Sequence, residues 1–184
     1  MTDQNNKYCT ELKRAMEILA QDERVLFIGQ TVGFSGSRFT YKTFKDIPLE
    51  KRIELPIMEE TQMGLCTGLA LGGYIPVSVY PRFDFVLLAA NQFINHLDKI
   101  YELSRGRSNP KVIIRAVVGS TIPFSPGVQH SQDYTEQFKS MLHNTDVIKL
   151  SNSDMVVPAY KRALKNNKST LLIEEGNLHY GEGK

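Results

Sequence analysis

Hydrophobic and polar positions follow two periods along this chain of 184 residues. Short apolar runs, rich in β-branched residues, predict buried strands at 24–29, 52–55, 74–80, 111–118, 147–150 and 170–174. Between them, apolar residues recur at three- and four-residue spacing, which predicts helices over 7–21, within 55–73, and over 86–104, 133–143 and 154–165. We expect Asp84 and Ser153 to cap the helices that follow them. The segment 38–49 is predicted to be irregular.

Strands and helices alternate from one end of the chain to the other. This order predicts a single α/β domain over residues 1–184, a three-layer sandwich with a mostly parallel central sheet. Ligands of such sheets bind at the carboxyl ends of the strands. Glu59, Phe85 and the long loop 119–132, which contains His130, each follow a predicted strand. We therefore expect them to converge on one edge of the sheet.

The helix within 55–73, named the glycine helix below, has an unusual pattern. Two acidic residues, Glu59 and Glu60, precede an apolar segment in which glycine recurs every four residues, at Gly64, Gly68 and Gly72. Residues four apart share one helix face, so the helix presents a stripe without side chains. Each glycine costs a helix about 1 kcal/mol relative to alanine. Close contact with another helix is the expected compensation.

Composition and charge narrow the classes of function. The formal net charge is +2 and the basic residues form no block, which argues against nucleic-acid binding. No segment reaches the roughly 18 uninterrupted apolar residues of a membrane span. The segment 29–36, GQTVGFSG, fits neither the G-x-G-x-x-G nor the Walker pattern of phosphate-binding loops. With only Cys9 and Cys66, a reduced, cytoplasmic protein is the simplest interpretation.

Each candidate residue also has a purely structural interpretation. Acidic residues at a helix start are stabilised by the helix dipole, so Glu59 and Glu60 can serve as simple capping charges. Phe83 and Phe85 can pack in the core, as most aromatic side chains do. His130 can be an ordinary loop histidine, because a histidine transfers protons only if the fold positions it.

Five motifs, taken in their order and spacing, resemble the pyrimidine-binding domain of thiamine-diphosphate enzymes. They are GQTVGFSG, PIMEETQMGLCTGLALGG, VYPRFDFVLLAANQFIN, PGVQHSQD, and LLIEE with LHY. Together they extend along nearly all of the chain. They are most similar to the N-terminal half of the β subunits of 2-oxo-acid dehydrogenase decarboxylase components. The resemblance implies a transketolase-like pyrimidine-binding domain with thiamine diphosphate as its cofactor.

The resemblance also implies a role for each candidate residue. Glu59 occupies the position of the glutamate whose carboxyl group hydrogen-bonds the aminopyrimidine ring and activates the cofactor. Phe85 stands where the family places an aromatic ring on the pyrimidine, and Phe83 is the neighbouring candidate. His130 matches a histidine that the family directs toward the substrate. In the family the glycine helix lies near a subunit interface, so self-association through it is expected.

Departures from the family imply a partner. The sequence has no G-D-G motif followed by a distant Asn–Asn pair, with which the family holds Mg²⁺ and the diphosphate. An α-type partner chain is therefore implied to bind both, and no metal ligands are expected here. The family's C-terminal domain is not expected within residues 1–184. Gln30 and Thr31 stand where the family commonly has two glutamates, and residues 166–169 replace an Asp-Pro-Asp-Pro segment.

Three functions are compatible with the sequence. The first is an enzyme subunit that uses thiamine diphosphate to decarboxylate a small 2-oxo acid, as a dehydrogenase, or to transfer an acyl or ketol unit. The second is a non-catalytic assembly or regulatory subunit that retains the fold. Glu59 argues against the second, because a scaffold has no need of a carboxyl group facing a cofactor. The third is a flavodoxin-like binding domain unrelated to thiamine, which would make the ordered motifs a coincidence.

Overall fold

A computed structural model describes residues 6–34, 40–121 and 125–181 of the chain. Three parts of the predictions lie outside the described residues. They are positions 35–36 of the glycine-rich segment, 38–39 of the segment predicted to be irregular, and 122–124 of the long loop.

Six parallel strands form the central sheet. In chain order, β1 to β6 are Val25–Gly29, Arg52–Glu54, Ile75–Tyr80, Ile113–Val118, Thr145–Leu150 and Ser169–Glu175. Their order across the sheet is β2-β1-β3-β4-β6-β5. In the described ranges the α-helices, α1 to α5, are Lys7–Ala20, Glu59–Leu71, Ile100–Leu103, Thr135–Met141 and Ser153–Lys165, and none is long and apolar enough to cross a membrane. The predicted α/β class with a parallel sheet is confirmed.

The sheet separates two hydrophobic clusters. Adjacent residues of one strand belong to different clusters, as Phe27 and Ile28 on β1 do, because side chains alternate across a pleated strand. The first cluster includes buried side chains of α1 and α5, and the second includes those of α2 and α4. Each of these helices therefore turns its predicted apolar face to the sheet. The prediction of three layers is confirmed.

The predicted helix 86–104 is three shorter helical segments. A 3-10 helix covers Phe83–Ala89, a π-helix covers Asn91–Leu97, and α3 covers Ile100–Leu103. The buried side chains of the first segment are Phe83, Val86 and Ala89. This interval of three residues is the period of a 3-10 helix. The prediction of one continuous helix was wrong because it treated spacings of three and four as a single period.

Two predicted caps are also wrong. The Asp84 side chain makes no capping hydrogen bond, and its Oδ1 accepts instead from the backbone N–H of Gln132 at 3.3 Å. Helix α5 is capped by Asn152, whose side chain accepts from the N–H of Met155. The predicted cap, Ser153, is the first residue of that helix. Asn and Ser both favour the cap position, so composition did not decide between neighbours.

Two further boundaries differ from the predictions. The described part of the segment predicted to be irregular contains a 3-10 turn at Tyr41–Phe44, and a second begins at Leu49. Gly64 and Gly68 lie within α2, whereas Gly72 follows its last residue as the C-cap. The glycine stripe on the helix itself therefore consists of the first two glycines.

A buried ion pair joins β4 to β6. Arg115 and Glu174 are both fully buried, and the guanidinium donates to the two carboxylate oxygens at 2.5 and 3.1 Å. Tyr160 donates to the same carboxylate, and His179 lies 3.1 Å from it. Burial disfavours the ionised carboxylate, but Arg115 and His179 outweigh that effect and lower the pKa of Glu174 to about 2. This pair links the middle of β4 to the carboxyl-terminal part of β6.

Candidate active site

Glu59 lies in the first turn of α2, beside the carboxyl ends of β1 and β3. It is 4 % exposed. Its neighbour Glu60 is exposed and accepts long hydrogen bonds from Asn91 and Gln92. Burying a charge costs free energy unless something compensates for it. The helix dipole therefore accounts for Glu60, but it does not account for the burial of Glu59.

Gln62, one turn after Glu59, fixes the start of α2 on the sheet. Its fully buried carboxamide donates to Ser78 Oγ at 3.0 Å and to Val79 O at 3.1 Å. Gly29 makes room for this contact, because a Cβ at that position would lie 2.3 Å from Val79 O and 3.0 Å from Gln62 Nε2. Its φ of 149° also favours glycine. The glycine that ends β1 thus lets the helix start approach the strand ends.

Only one of the two carboxyl oxygens of Glu59 has a hydrogen-bond partner among the described residues. Gln30 Nε2 donates to Glu59 Oε1 over 3.2 Å, and no described residue hydrogen-bonds Oε2. The backbone carbonyl of Glu59 accepts from the hydroxyl of Tyr80 at 3.3 Å. Burial raises the pKa of Tyr80 well above its usual range, so this hydroxyl remains a donor. Among the described residues, Oε1 therefore has a side-chain partner and Oε2 has none.

Phe85 and His130 meet edge to face. Their ring centroids are 5.3 Å apart at an angle of 85°, and His130 Nδ1 is buried without a hydrogen-bond partner among the described residues. Gly119, just after β4, lies so close that a Cβ there would be 1.7 Å from His130 O. The 3-10 segment that contains Phe85 packs against α2 and against the turn that contains His130. The structure thus brings Glu59, Phe85 and His130 to the ends of the neighbouring strands β1, β3 and β4.

Comparisons with known proteins find that the chain is similar to β subunits of 2-oxo-acid dehydrogenases. No family model matches it. The β subunit of the pyruvate dehydrogenase E1 component from Cyanidium caldarium is 28 % identical over 171 residues, which cover 91 % of this chain and 51 % of the relative. The β subunit of 3-methyl-2-oxobutanoate dehydrogenase from Mycobacterium tuberculosis is 26 % identical over 178 residues, covering 94 % and 49 %. The chain spans about half the length of these curated relatives.

Solved structures agree on the fold. One of them is a split-gene transketolase in the form of an inactive tetramer of four β chains. It superposes with a TM-score of 0.66 at 18 % identity, over 92 % of this chain and 50 % of that one. The chain has the fold of a transketolase-like pyrimidine domain. It is akin to the N-terminal half of the β subunits of pyruvate and branched-chain 2-oxo-acid dehydrogenases. The resemblance predicted from the ordered motifs is confirmed.

The two candidate aromatic residues, Phe83 and Phe85, differ in their burial. Phe83 is fully buried, with ring centroids 5.9 Å from Tyr134 and 5.4 Å from Phe138. Phe85 is only partly buried. A ring enclosed by other rings presents no face to a ligand, so the geometry favours Phe85 over Phe83 as a cofactor contact.

Three polar residues of this edge were not singled out from the sequence: Gln62, Tyr80 and Glu54. Gln62 could have been found from the sequence, because it is a polar residue in an apolar helix, one turn after Glu59 and on the same face. Tyr80 and Glu54 are the last residues of β3 and β2, and the carboxyl ends of parallel strands are where site residues collect. Their contacts depend on how the strands pair, which the sequence pattern did not specify.

Proposed function

We propose that this pyrimidine domain is the β-type part of a thiamine-diphosphate-dependent enzyme that acts on small 2-oxo acids. The reaction is either oxidative decarboxylation or transfer of an acyl or ketol unit. Its relatives include subunits of pyruvate and 3-methyl-2-oxobutanoate dehydrogenases, and the family binds thiamine diphosphate. The observation that carries the proposal is the carboxyl group of Glu59, which is almost buried, held at one oxygen and open at the other.

The residues at this edge fit an aminopyrimidine ring. When bound, thiamine diphosphate supplies the carbanion chemistry. Glu59 would hold or move one proton at Oε2, in a site dry enough to strengthen that hydrogen bond. Phe85 would offer an aromatic surface beside the ring. His130, whose Nδ1 has no partner among the described residues, would exchange a proton with the substrate.

The diphosphate and Mg²⁺ would be held by an α-type partner. The sequence lacks the G-D-G motif for that purpose, and within the described ranges no group of three or more His, Cys, Asp or Glu side chains is arranged to hold a metal ion. The cofactor would therefore lie between two chains, and each chain alone would be inactive.

Calorimetry tests this split site. Thiamine diphosphate with Mg²⁺ is titrated into this chain alone and into its complex with the candidate α-type partner. We expect binding heat only from the complex, and weaker binding when the complex contains Glu59→Gln. A complex with Glu60→Gln, a neighbouring carboxyl group that is exposed, is the matched control and should bind normally. A well-folded complex that binds no cofactor would contradict the proposal.

The alternative is a non-catalytic assembly subunit. The outer face of α2 is compatible with it, because the Cβ position of Gly68 has no atom within 4 Å and Leu65 and Leu71 are 40 % and 54 % exposed. Exposed apolar surface of this kind marks interfaces. The face would serve a catalytic and a non-catalytic subunit equally well, so cofactor binding is the measurement that separates the two functions.

Gly68→Leu tests self-association through this face. The isolated chain has room for the side chain, and leucine favours a helix by about 1 kcal/mol over glycine. We therefore expect an unchanged or higher melting temperature, together with a smaller mass by light scattering, because leucine prevents close helix contact. Ser140→Leu, at an exposed position of α4, should leave the mass unaltered. An unchanged mass for Gly68→Leu would exclude α2 as the interface.

A further inference from the structure

The loop after β1 is held by a side-chain carboxylate. Glu54 Oε1 accepts from the backbone N–H of Thr31 at 2.7 Å, and Oε2 accepts from those of Val32 and Gly33 at 2.8 and 2.7 Å. Three successive N–H groups around one anion form a nest, which is an arrangement that backbone uses to bind negative charge. The conformation of residues 31–33 therefore depends on Glu54.

Thr31 shows that this conformation is imposed on the loop. Its φ is 59°, in the left-handed region that β-branched residues avoid. That conformation costs roughly 1–2 kcal/mol. Charge-assisted hydrogen bonds to the carboxylate offset the cost, because they are about twice as strong as neutral ones. Without Glu54, the contact between the Thr31 and Thr40 hydroxyls would remain, but the three backbone N–H groups would lose their shared acceptor.

Glu54 is itself placed by the sheet. Its Cα pairs with that of Gly29 in the parallel β1–β2 register, and the N–H of Leu55 donates to Gly29 O at 2.8 Å. Arg52, on the same strand, donates to Val32 O at 3.3 Å. The carboxylate thus starts from a fixed strand directly beside the loop that it holds.

Gln30 transmits this constraint to Glu59. It lies between Gly29, which belongs to the sheet, and residues 31–33, which Glu54 holds, and its Nε2 donates to Glu59 Oε1. We propose that Glu54 is a positioning residue, which keeps Gln30 on Oε1 and leaves Oε2 to the cofactor ring. An amide neither gains nor loses a proton near neutral pH, so Gln30 orients the carboxyl group without sharing its proton. The catalytic part of this inference rests on the proposed function.

The structural part is tested on the full chain without cofactor, by the NMR signals of the Gln30 side-chain amide. These signals are assigned by their loss in Gln30→Met. Glu59→Gln should shift them, because it changes their acceptor. In a Glu54→Gln background, the same Glu59→Gln change should leave them unmoved, because the loop no longer holds Gln30 in contact. Glu50→Gln, an exposed carboxyl group removed near the same strand, should preserve the wild-type shift.

Two outcomes overturn this part. If Glu59→Gln shifts the Gln30 signals equally with and without Glu54, the carboxylate is not needed to position Gln30. If Glu54→Gln unfolds the whole chain, as judged by lost dispersion of the β4 and β6 amide signals, Glu54 is a general stabilising residue. Either result can be read even if the chain binds no thiamine diphosphate, so failure of the proposed function is distinguishable.

The catalytic part is tested in the complex with the α-type partner. Gln30→Met and Glu54→Gln should each lower kcat about tenfold, the loss expected when one hydrogen bond to a charged group is removed. The double variant should also lose about tenfold rather than a hundredfold, because both changes break the same contact. KM for the 2-oxo acid should hardly change. Multiplicative losses would show that Glu54 does not act through Gln30.

Discussion

Glu59→Gln should lower the cofactor-dependent turnover of the assembled enzyme by roughly 10²- to 10⁴-fold, the usual contribution of a positioned acid–base group. Glutamine keeps the shape of glutamate and still accepts from Gln30, but it cannot hold and release a proton at the position of Oε2. The free energy of unfolding should change by less than about 1 kcal/mol, because the packing of α2 is unaltered. Steady-state turnover of 2-oxo acids, with thermal unfolding in parallel, measures both quantities.

Glu60→Gln is the matched control for this experiment. It removes the same charge from the next residue of the same helix turn, but that side chain is exposed and its hydrogen bonds are long. Turnover should therefore stay close to wild type. A fully active Glu59→Gln enzyme would remove the role assigned to Glu59. Equal losses in the two variants would indicate that the charge at the helix start matters, rather than one positioned carboxyl group.

The sequence predicted the secondary structure correctly where buried residues follow a single spacing along the whole element. Strands such as β4, with every residue buried, are apolar except for Arg115, because both faces of a parallel sheet are covered. The helical segments between 83 and 103 were not predictable in the same way. There the backbone passes from 3-10 to π to α hydrogen bonding, and a mixture of three- and four-residue spacings does not reveal where each change occurs.

For the candidate site, the sequence predicted which strand ends contribute residues, but not the contacts between those residues. Glu59, Phe85 and His130 follow β2, β3 and β4, which belong to one parallel sheet although β1 lies between β2 and β3. Their placement at one edge of the sheet therefore followed from chain order and parallel pairing. The resemblance put Phe85 before Phe83, but the hydrophobic pattern alone did not separate them, because the difference depends on which ring packs against Phe138. The contact of Glu54 with the loop after β1 was equally hidden, because it requires the pairing of two strands that the sequence pattern does not specify.

Glu174→Ala should give the largest loss of stability, because it leaves the fully buried guanidinium of Arg115 without its carboxylate. Breaking a buried ion pair from one side costs about 3–5 kcal/mol. Tyr160 would lose its acceptor as well. Urea unfolding followed by circular dichroism measures the change, since the chain contains no tryptophan to report by fluorescence. A loss below about 1 kcal/mol, the size of an ordinary surface change, would show that water or rearrangement compensates the guanidinium.

At acid pH, wild type and Glu174→Ala should have the same free energy of unfolding. The pKa of Glu174 is lowered from 4.5 to about 2 in the folded chain. A carboxyl group with a depressed folded pKa contributes stability that is complete above its unfolded pKa and is lost as the pH falls toward the folded value. The stability gap between the two chains should therefore be constant above about pH 4.5 and should close toward pH 2. A gap that persists in acid would mean that lost packing, rather than lost charge pairing, causes the effect.

Removing the charges of both Arg115 and Glu174 further separates the effect of lost charge pairing from that of lost packing. Arg115→Met combined with Glu174→Leu replaces the buried pair with apolar side chains, and such replacements are often neutral or stabilising when the volume is similar. The double variant should therefore be more stable than Glu174→Ala alone, although Tyr160 and His179 lose their shared partner. Because β4 leads through Gly119 to His130, the same variant also tests whether the pair supports the site. A double variant that folds well but loses turnover in the complex would indicate that the ion pair supports the arrangement of β4 and β6 that catalysis needs. Full turnover would confine its role to stability.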